Sequence, residues 1–382
     1  MPQRQIRIAL AALLLLTTLT PRAGAWSASG HHIIALIAFD LLDEGDQQKL
    51  LDILTEHPRY AEDFTPSPKV ANATRWRVGT AGYWPDIARK TKYDRPTWHY
   101  QLASTLTIGD ESKLEVPDDP GPLPDNATLK TQKLHIAQAI ELCRKVLGSK
   151  HSSGGDRALA LCWLGHLVGD SHQPCHAGSL YAAGIFPKGD RGANSIPTKQ
   201  SRNMHALWDG LLGDRYDEAP VRRRYVDIVQ DKRLQRFANK AMGKEDALNP
   251  LVWLEESRNA SKQFVYTNEV LTPIRPAAAG ELVTMPQLYL TDLYLENAGN
   301  VARIRAIQAG HRLAAIWREG LTADGDFRQA VDQSRSNPEG LTHWLNTRTG
   351  SRHNSTCKNY ENTSRGRFCG LDEGRACGLC GG

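Results

Sequence analysis

Beyond residue 25 the sequence has no apolar run approaching the roughly 18 residues that a bilayer-spanning helix needs, so no membrane span is expected in the mature chain. It also lacks a surplus of either charge. Lys and Arg number 47 against 42 Asp and Glu, and three of the basic residues, Arg4, Arg7 and Arg22, precede residue 26, so net charge names no partner. Strand-type alternation is scarce and no internal repeat is found, which argues against β-rich and repeat architectures. Disorder is excluded for most of the chain, because 40% of its 382 residues are hydrophobic and only 23% charged.

One long apolar run does occur. Arg4 and Arg7 precede an apolar segment from Ile8 to Leu16, and Ala23-Gly24-Ala25 has the small residues of a cleavage site. That is the pattern of a secretory signal peptide over residues 1–25, giving a secreted or periplasmic mature chain that starts at Trp26. Helical periodicity then dominates: a first helix from Gly30 to about Gln48 with Ser29 as its N-cap, and further helices over about 126–146, 156–171, 201–212, 220–242, 250–271 and 286–319. Pro and Gly clusters mark loops over 116–124 and 178–197, the second with room for a short hairpin. The expected organisation is an all-α domain over 26–320, a polar linker over 321–337 and a Cys-rich module over 338–382. That module has too few aliphatic residues for a core of its own.

Chemistry concentrates in two helical segments. In Ala158–His176, His166 and Asp170 stand four residues apart on one helix face; Pro174 ends the helix and His176 follows on the exit turn. In Asn203–Gly210, His205 and Asp209 repeat that spacing. One such pair is more often an exposed helix contact than a metal site. Two pairs, with His176, His31, Asp86 and His99 added, make five His and three Asp, too many for one zinc and suited to a cluster of two or three ions of the kind that hydrolyses phosphoesters.

Taken together, Trp26 with His31 five residues on, Asp86 with Arg89, His99-Tyr100, the segment from His166 through Asp170 to His176, and Asn203-Met-His205 with Asp209 resemble the three-zinc, single-strand-specific type I nucleases, relatives of bacterial zinc phospholipase C. Trp253–Ser257 and Ala309–Ala314 resemble later helices of that family. The resemblance implies a multi-helix zinc phospholipase C-like fold. One zinc would sit on Asp86, His99, His166 and Asp170, a neighbour on Trp26, His31 and the bridging Asp170, and a third on His176, His205 and Asp209. Trp26 would ligate through its α-amine and carbonyl oxygen, which an unprocessed chain could not offer.

The implied activity is endonucleolytic hydrolysis of single-stranded DNA and RNA to 5′-phosphate ends, with 3′-nucleotidase activity. Asp86, Asp170 and Arg89 would be catalytic, Arg89 gripping a non-bridging phosphate oxygen. Tyr100 would stack a base, and Asn194 would lie on a Gly-rich loop beside the substrate. Leu102 stands where relatives often carry a carboxylate or amide that reads the base. Two rival readings share most of these residues: a zinc phospholipase C, and a non-catalytic protein stabilised by metal. No protein partner is implied, and the expected state is a monomer.

Of the seven cysteines, Cys175 is free to pair with Cys143 or Cys162, while Cys357, Cys369, Cys377 and Cys380 crowd the last 26 residues. Cys377 and Cys380 have a knuckle spacing, with Cys357 and Cys369 as possible partners and His353 nearby; export favours disulfides there, and a further structural zinc on four thiolates is the alternative. His32 and His172, beside ligand residues, are expected at the surface or behind the ligands.

Overall fold

The computed structural model describes residues 26–282, 284–322, 341–347, 349–361, 363 and 366–382. The leader and its cleavage site, and most of the expected linker, lie outside the described residues. The helices are α1 (Ala28–Asp40), α2 (Glu44–Thr55), α3 (Tyr60–Asp63), α4 (Ala73–Ile87), α5 (Ile136–Leu147), α6 (Gly154–Ser171), α7 (Pro174–Ala177), α8 (Met204–Asp209), α9 (Glu218–Val229), α10 (Lys232–Met242), α11 (Pro250–Ala260), α12 (Asn268–Ala278) and α13 (Asp292–Thr322). None is long and apolar enough to cross a membrane.

Helix α6 is the centre. It is apolar around its circumference and buried from Ala158 to Ser171, so neighbours pack on every side: α1, α2, α4, α5, α11 and α13. Glycines let α1, α4 and α6 approach closely. A Cβ on Gly82 of α4 would come within 2.9 Å of the His31 carbonyl oxygen, and one on Gly165 of α6 within 3.1 Å of the Gly82 Cα. Three polar positions are thereby brought to one junction: His31 on α1, Asp86 on the last turn of α4, and His166 with Asp170 on α6.

Several boundaries differ from the sequence reading. The first helix breaks after Asp40, because Asp43 caps a new one by accepting from the Asp46 N–H at 2.8 Å. Its own N-cap is Ser27, whose hydroxyl accepts from Gly30 N; Ser29 instead donates to the Arg215 carbonyl at 2.8 Å. The segment expected as one helix over 250–271 passes through a π-turn at Ser261–Val265 and restarts as α12. Pro174 does not end α6, which stops at Ser171. It opens α7 at the first helical position, where its missing N–H costs nothing.

Inside the helical domain one strand was not anticipated, β1 (Ala103–Ile108), and a second, β2 (Gly178–Ala182), lies in the loop with room for a hairpin. The two pair in parallel, Ala103 opposite Gly178. Instead of the expected hairpin, β2 finds its partner across the chain, and Ala182 makes only an isolated bridge to Phe186. The strands approach closely at Gly178, where a Cβ would come 1.9 Å from Thr105 Oγ1 and that side chain would have to turn away. β1 follows His99 and β2 follows His176, so the pair locks two site segments side by side.

The C-terminal module is a four-stranded sheet of order β5-β3-β4-β6, with β3 (His343–Asn346), β4 (Ser351–Asn354), β5 (Gly366–Cys369) and β6 (Arg375–Ala376). β3 runs antiparallel to β4 and β5, and β4 parallel to β6. Trp344, 1% exposed, lies edge-on to Phe368 with centroids 5.3 Å apart and forms the small core.

Candidate metal centre

Asp170 is the hub. Its Oδ1 lies 3.2 Å from His31 Nε2, and its Oδ2 lies 3.0 Å from His99 Nδ1 and 3.2 Å from His166 Nε2. Asp86 Oδ1 is 4.0 Å from His166 Nε2, and the His31 and His166 rings stack with centroids 3.9 Å apart. Gly169 allows the stack, because a Cβ there would lie 2.8 Å from His31 Nδ1. Trp26 is fully buried beside this group, its indole N–H donating to the Gly169 carbonyl at 3.0 Å.

A second group forms at α7 and α8. His205 Nε2 lies 3.1 Å from His176 Nε2 and 3.6 Å from Asp209 Oδ2, and His176 Nε2 is 4.0 Å from Asp209 Oδ1. Asn203 starts α8 by accepting from Ala206 N at 2.8 Å, which sets the face on which His205 and Asp209 emerge. The Ser27 N–H donates to the Asp209 carbonyl at 2.8 Å and ties the chain beside Trp26 to this helix.

The hydrogen bonds fix which ring nitrogens face inward. His166 Nδ1 meets the Gly82 carbonyl at 3.0 Å, His176 Nδ1 the His99 carbonyl at 2.6 Å, and His205 Nδ1 the Gly192 carbonyl at 2.6 Å. A carbonyl only accepts, so each of these nitrogens carries the proton and each Nε2 presents a bare lone pair. Two such lone pairs 3.1 Å apart, at His176 and His205, repel unless a cation lies between them. Buried atoms without a hydrogen-bond partner cluster at the same place: both ring nitrogens of His31, His99 Nε2, Asp170 Oδ1 and Asp209 Oδ2. The donor set is imidazole and carboxylate throughout, and it fits divalent cations such as zinc.

Electrostatics agree. Burial pushes His31, His99, His176 and His205 below the usual imidazole range, His99 to about 4 and His205 to about 3, keeping them neutral and able to ligate. His166 is drawn upward although burial opposes it, because the Asp170 and Asp86 carboxylates face it. Burial lifts Asp209 well above the usual carboxylate range, with the Asp170 and Asp86 charges adding to it, against a 2.6 Å hydrogen bond from Gln173 Nε2 and the charge of Arg202.

The expected substrate residues surround this centre. Arg89 donates through Nε to Asp86 Oδ1 at 3.0 Å and its side chain is 19% exposed. Tyr100 is 37% exposed and does not pack in the core, where Trp98 instead meets Trp163 at 4.8 Å. Asn194 donates to the Arg191 carbonyl at 2.9 Å and accepts from Asn203 at 3.4 Å, next to the start of α8.

A network that the sequence reading did not assemble holds the end of α6. His172, read as surface or behind the ligands, is fully buried: Nδ1 donates to the Val168 carbonyl at 2.7 Å and Nε2 accepts from Arg312 Nη1 at 2.8 Å. His32 is buried too, its Nδ1 3.0 Å from the Tyr216 hydroxyl. The last carbonyls of α6 have no partner inside the helix; Ser257 Oγ bonds that of Ser171 at 2.7 Å and Arg305 Nε that of His172 at 3.2 Å. Glu256 receives Arg305, Arg312 and Lys244 at 2.9, 2.7 and 2.7 Å. The available signal was the spacing of Arg305 and Arg312, two turns apart on one face of α13.

Burial would raise the Glu256 carboxyl, but hydrogen bonds from Arg312 and the charge of Arg305 override it and hold it well below its ordinary 4.5. A depressed carboxylate stabilises the fold above its unfolded pKa and loses that contribution as pH falls toward the folded value. Glu256→Gln is therefore expected to cost about 2 kcal/mol near pH 7, less than a fully buried ion pair because Glu256 keeps some solvent contact. The gap from the parent should narrow below pH 4.5 in thermal melts taken across the range. A gap independent of pH would refute the assignment.

The cysteines stand apart from this centre. Cys143, Cys162 and Cys175 are buried free thiols, and the pairing considered for Cys175 does not form. In the C-terminal module, Cys357, Cys377 and Cys380 converge with His353, whereas Cys369, expected as their partner, lies outside the group.

Residues 26–321 match the S1/P1 nuclease family. The Arabidopsis thaliana protein named Endonuclease 3 is 23% identical over 339 residues, which cover 85% of this chain and 99% of that protein. Endonuclease 4 of the same plant is 25% identical over 214 residues, 53% of this chain and 60% of its own length. With a family match spanning the whole helical domain, and the His and Asp groups at its centre, this chain belongs to the S1/P1 nucleases, all-α hydrolases of phosphodiester bonds.

Proposed function

We propose that this nuclease is a secreted three-zinc endonuclease that cuts single-stranded DNA and RNA to 5′-phosphate ends and also removes 3′-phosphates from nucleotides. The observation that carries the reading is the meeting of three His and Asp groups, two of them sharing His166: His31, His166 and Asp170; Asp86, His99 and His166; and His176, His205 and Asp209. Zinc bound there supplies Lewis acidity and makes water nucleophilic near neutral pH.

The chain supplies the rest. Asp170 turns Oδ1 toward His31 and Oδ2 toward His99 and His166, so it would help hold cations on both sides. The carbonyls of Gly82, His99 and Gly192 hold the Nδ1 protons of His166, His176 and His205 outward, so that in the neutral ring the inward Nε2 is the one that can ligate. Gln173 orients Asp209 by donating to one of its oxygens and leaves the other for a cation. Arg89 is reachable from solvent and fixed by Asp86, which suits a guanidinium gripping a non-bridging phosphate oxygen in the transition state. Tyr100, exposed next to His99, offers a face for one unpaired base, whereas a duplex keeps its bases stacked internally.

Circular single-stranded DNA tests this reading, since circles have no ends for an exonuclease. Mature zinc-loaded protein should open the circle, leave relaxed duplex largely intact, and lose both activities to a chelator. Phosphocholine release from phosphatidylcholine with intact circles would move the site to phospholipid head groups. Equal cutting of single and double strands would remove the role given to Tyr100.

A further inference from the structure

We propose that His353, Cys357, Cys377 and Cys380 form a second, structural zinc site that holds the C-terminal module together, chemically distinct from the nuclease centre. Their ligand atoms all lie within 4.8 Å of one another, and His353 Nδ1 is 3.3 Å from Cys357 Sγ. Tetrahedral zinc with bonds of about 2.3 Å to sulfur and about 2.0 Å to nitrogen places neighbouring ligand atoms about 3.5–3.8 Å apart, so modest adjustment brings all four into bonding range.

The backbone explains why these four residues meet. His353 lies on β4, and Cys357 follows in a turn closed by its N–H on the Asn354 carbonyl at 3.0 Å. The Cys377 N–H donates to the Arg352 carbonyl at 2.9 Å, prolonging the β4–β6 ladder and setting Cys377 beside His353. The Cys377 carbonyl then accepts the N–H groups of Cys380 at 3.3 Å and Gly381 at 2.8 Å. This is the tight knuckle that turns two thiols three residues apart toward one point. Asn354 clamps the knuckle by donating to the Cys380 carbonyl at 2.8 Å.

Composition argues for a metal over a disulfide. Three thiols and an imidazole converge, so any single disulfide among them would strand one thiol and the buried His353. Cys369 is fully buried on β5, outside the group, and serves as an internal control. The module needs such a tie: its buried hydrophobic side chains beyond the cysteines are Trp344 and Leu345 among the described residues, too few to hold a sheet of this size.

Cobalt substitution separates the two centres. The nuclease groups offer only nitrogen and oxygen, so a thiolate-to-cobalt charge-transfer band in the near ultraviolet reads the C-terminal site alone, whether or not the nuclease reading holds. Full-length chain loaded with cobalt alone should show the band. Cys377→Ser/Cys380→Ser should lose it together with one metal per chain, and Cys369→Ser should keep both. His353→Cys should retain the metal and strengthen the band, which guards against a serine variant that merely fails to fold. A parent without the band, a band lost in Cys369→Ser, or mass loss showing Cys377 in a disulfide would each overturn the proposal.

Discussion

Asp170→Ala is expected to lose two zinc ions per chain and to lower the rate on single-stranded DNA by roughly a thousandfold or more. The carboxylate is shared: Oδ1 faces His31, and Oδ2 faces both His99 and His166. Its removal leaves the three imidazoles with Asp86, 4.0 Å from His166, as the remaining carboxylate of the group. Metal catalysis contributes several kcal/mol of transition-state stabilisation, and each 1.36 kcal/mol is about a factor of ten in rate. Asp170→Asn is the more telling variant, since it keeps the volume but removes the negative charge and replaces one of the two oxygen acceptors with an N–H donor, which cannot ligate a cation. Metal content by mass spectrometry and single-turnover cleavage of an oligonucleotide decide the matter, with helicity measured as the control for folding. A variant with parental zinc and parental rate would remove Asp170 from the centre of the mechanism.

The contrast between α6 and α4 shows what was legible in the sequence. The His166 and Asp170 pair was readable because α6 is regular and strongly apolar, so the four-residue spacing translates directly into a shared face. His205 and Asp209 were readable for the same reason over the short α8. Helix α4, which delivers Asp86, escaped periodicity because Gly79, Gly82 and Pro85 interrupt the pattern. Those glycines serve packing: a Cβ at Gly79 would lie 2.1 Å from His32 Nε2, and Gly82 touches α1. Local propensity was sacrificed for close approach, and only tertiary contact reveals that.

The β1–β2 pair was hidden differently. β1 is half-buried at nearly every position and β2 is buried at all of them, so neither alternates. In the module, the crowding of cysteines near His353 was visible but the choice of Cys357 over Cys369 was not, because Cys377 and Cys380 reach His353 and Cys357 through a parallel strand pairing that spacing does not encode. The S1/P1 membership, by contrast, rests on residues that stand together in motifs, and those were readable without coordinates.

Gly192→Ala is expected to strip the metal held by His176, His205 and Asp209 and to cut nuclease activity by about 10- to 100-fold, the range found when a partner that orients a ligand is lost. Gly192 sits at φ 61° between Arg191 and Ala193, both also left-handed, and a Cβ there would come 2.1 Å from the Cys175 carbonyl oxygen and 3.2 Å from Leu102 Cδ2. Neither neighbour is free to move without consequence. Cys175 directly precedes His176, and the Gly192 carbonyl is the acceptor that fixes the His205 ring at 2.6 Å. The turn is also held from behind by Ser179, which accepts the Gly192 N–H at 2.9 Å, and by Asp190, which accepts the Ala193 N–H at 3.0 Å. Relief therefore has to come from the ligands themselves, one of the two histidines shifting off the common point. Since Asp170, His31 and His166 make none of these contacts, the variant should keep the metal proposed around Asp170 while losing most of its rate, a pattern opposite to that of Asp170→Ala. Full metal content with full activity would mean that the loop yields elsewhere and that the Gly192 carbonyl does not orient His205.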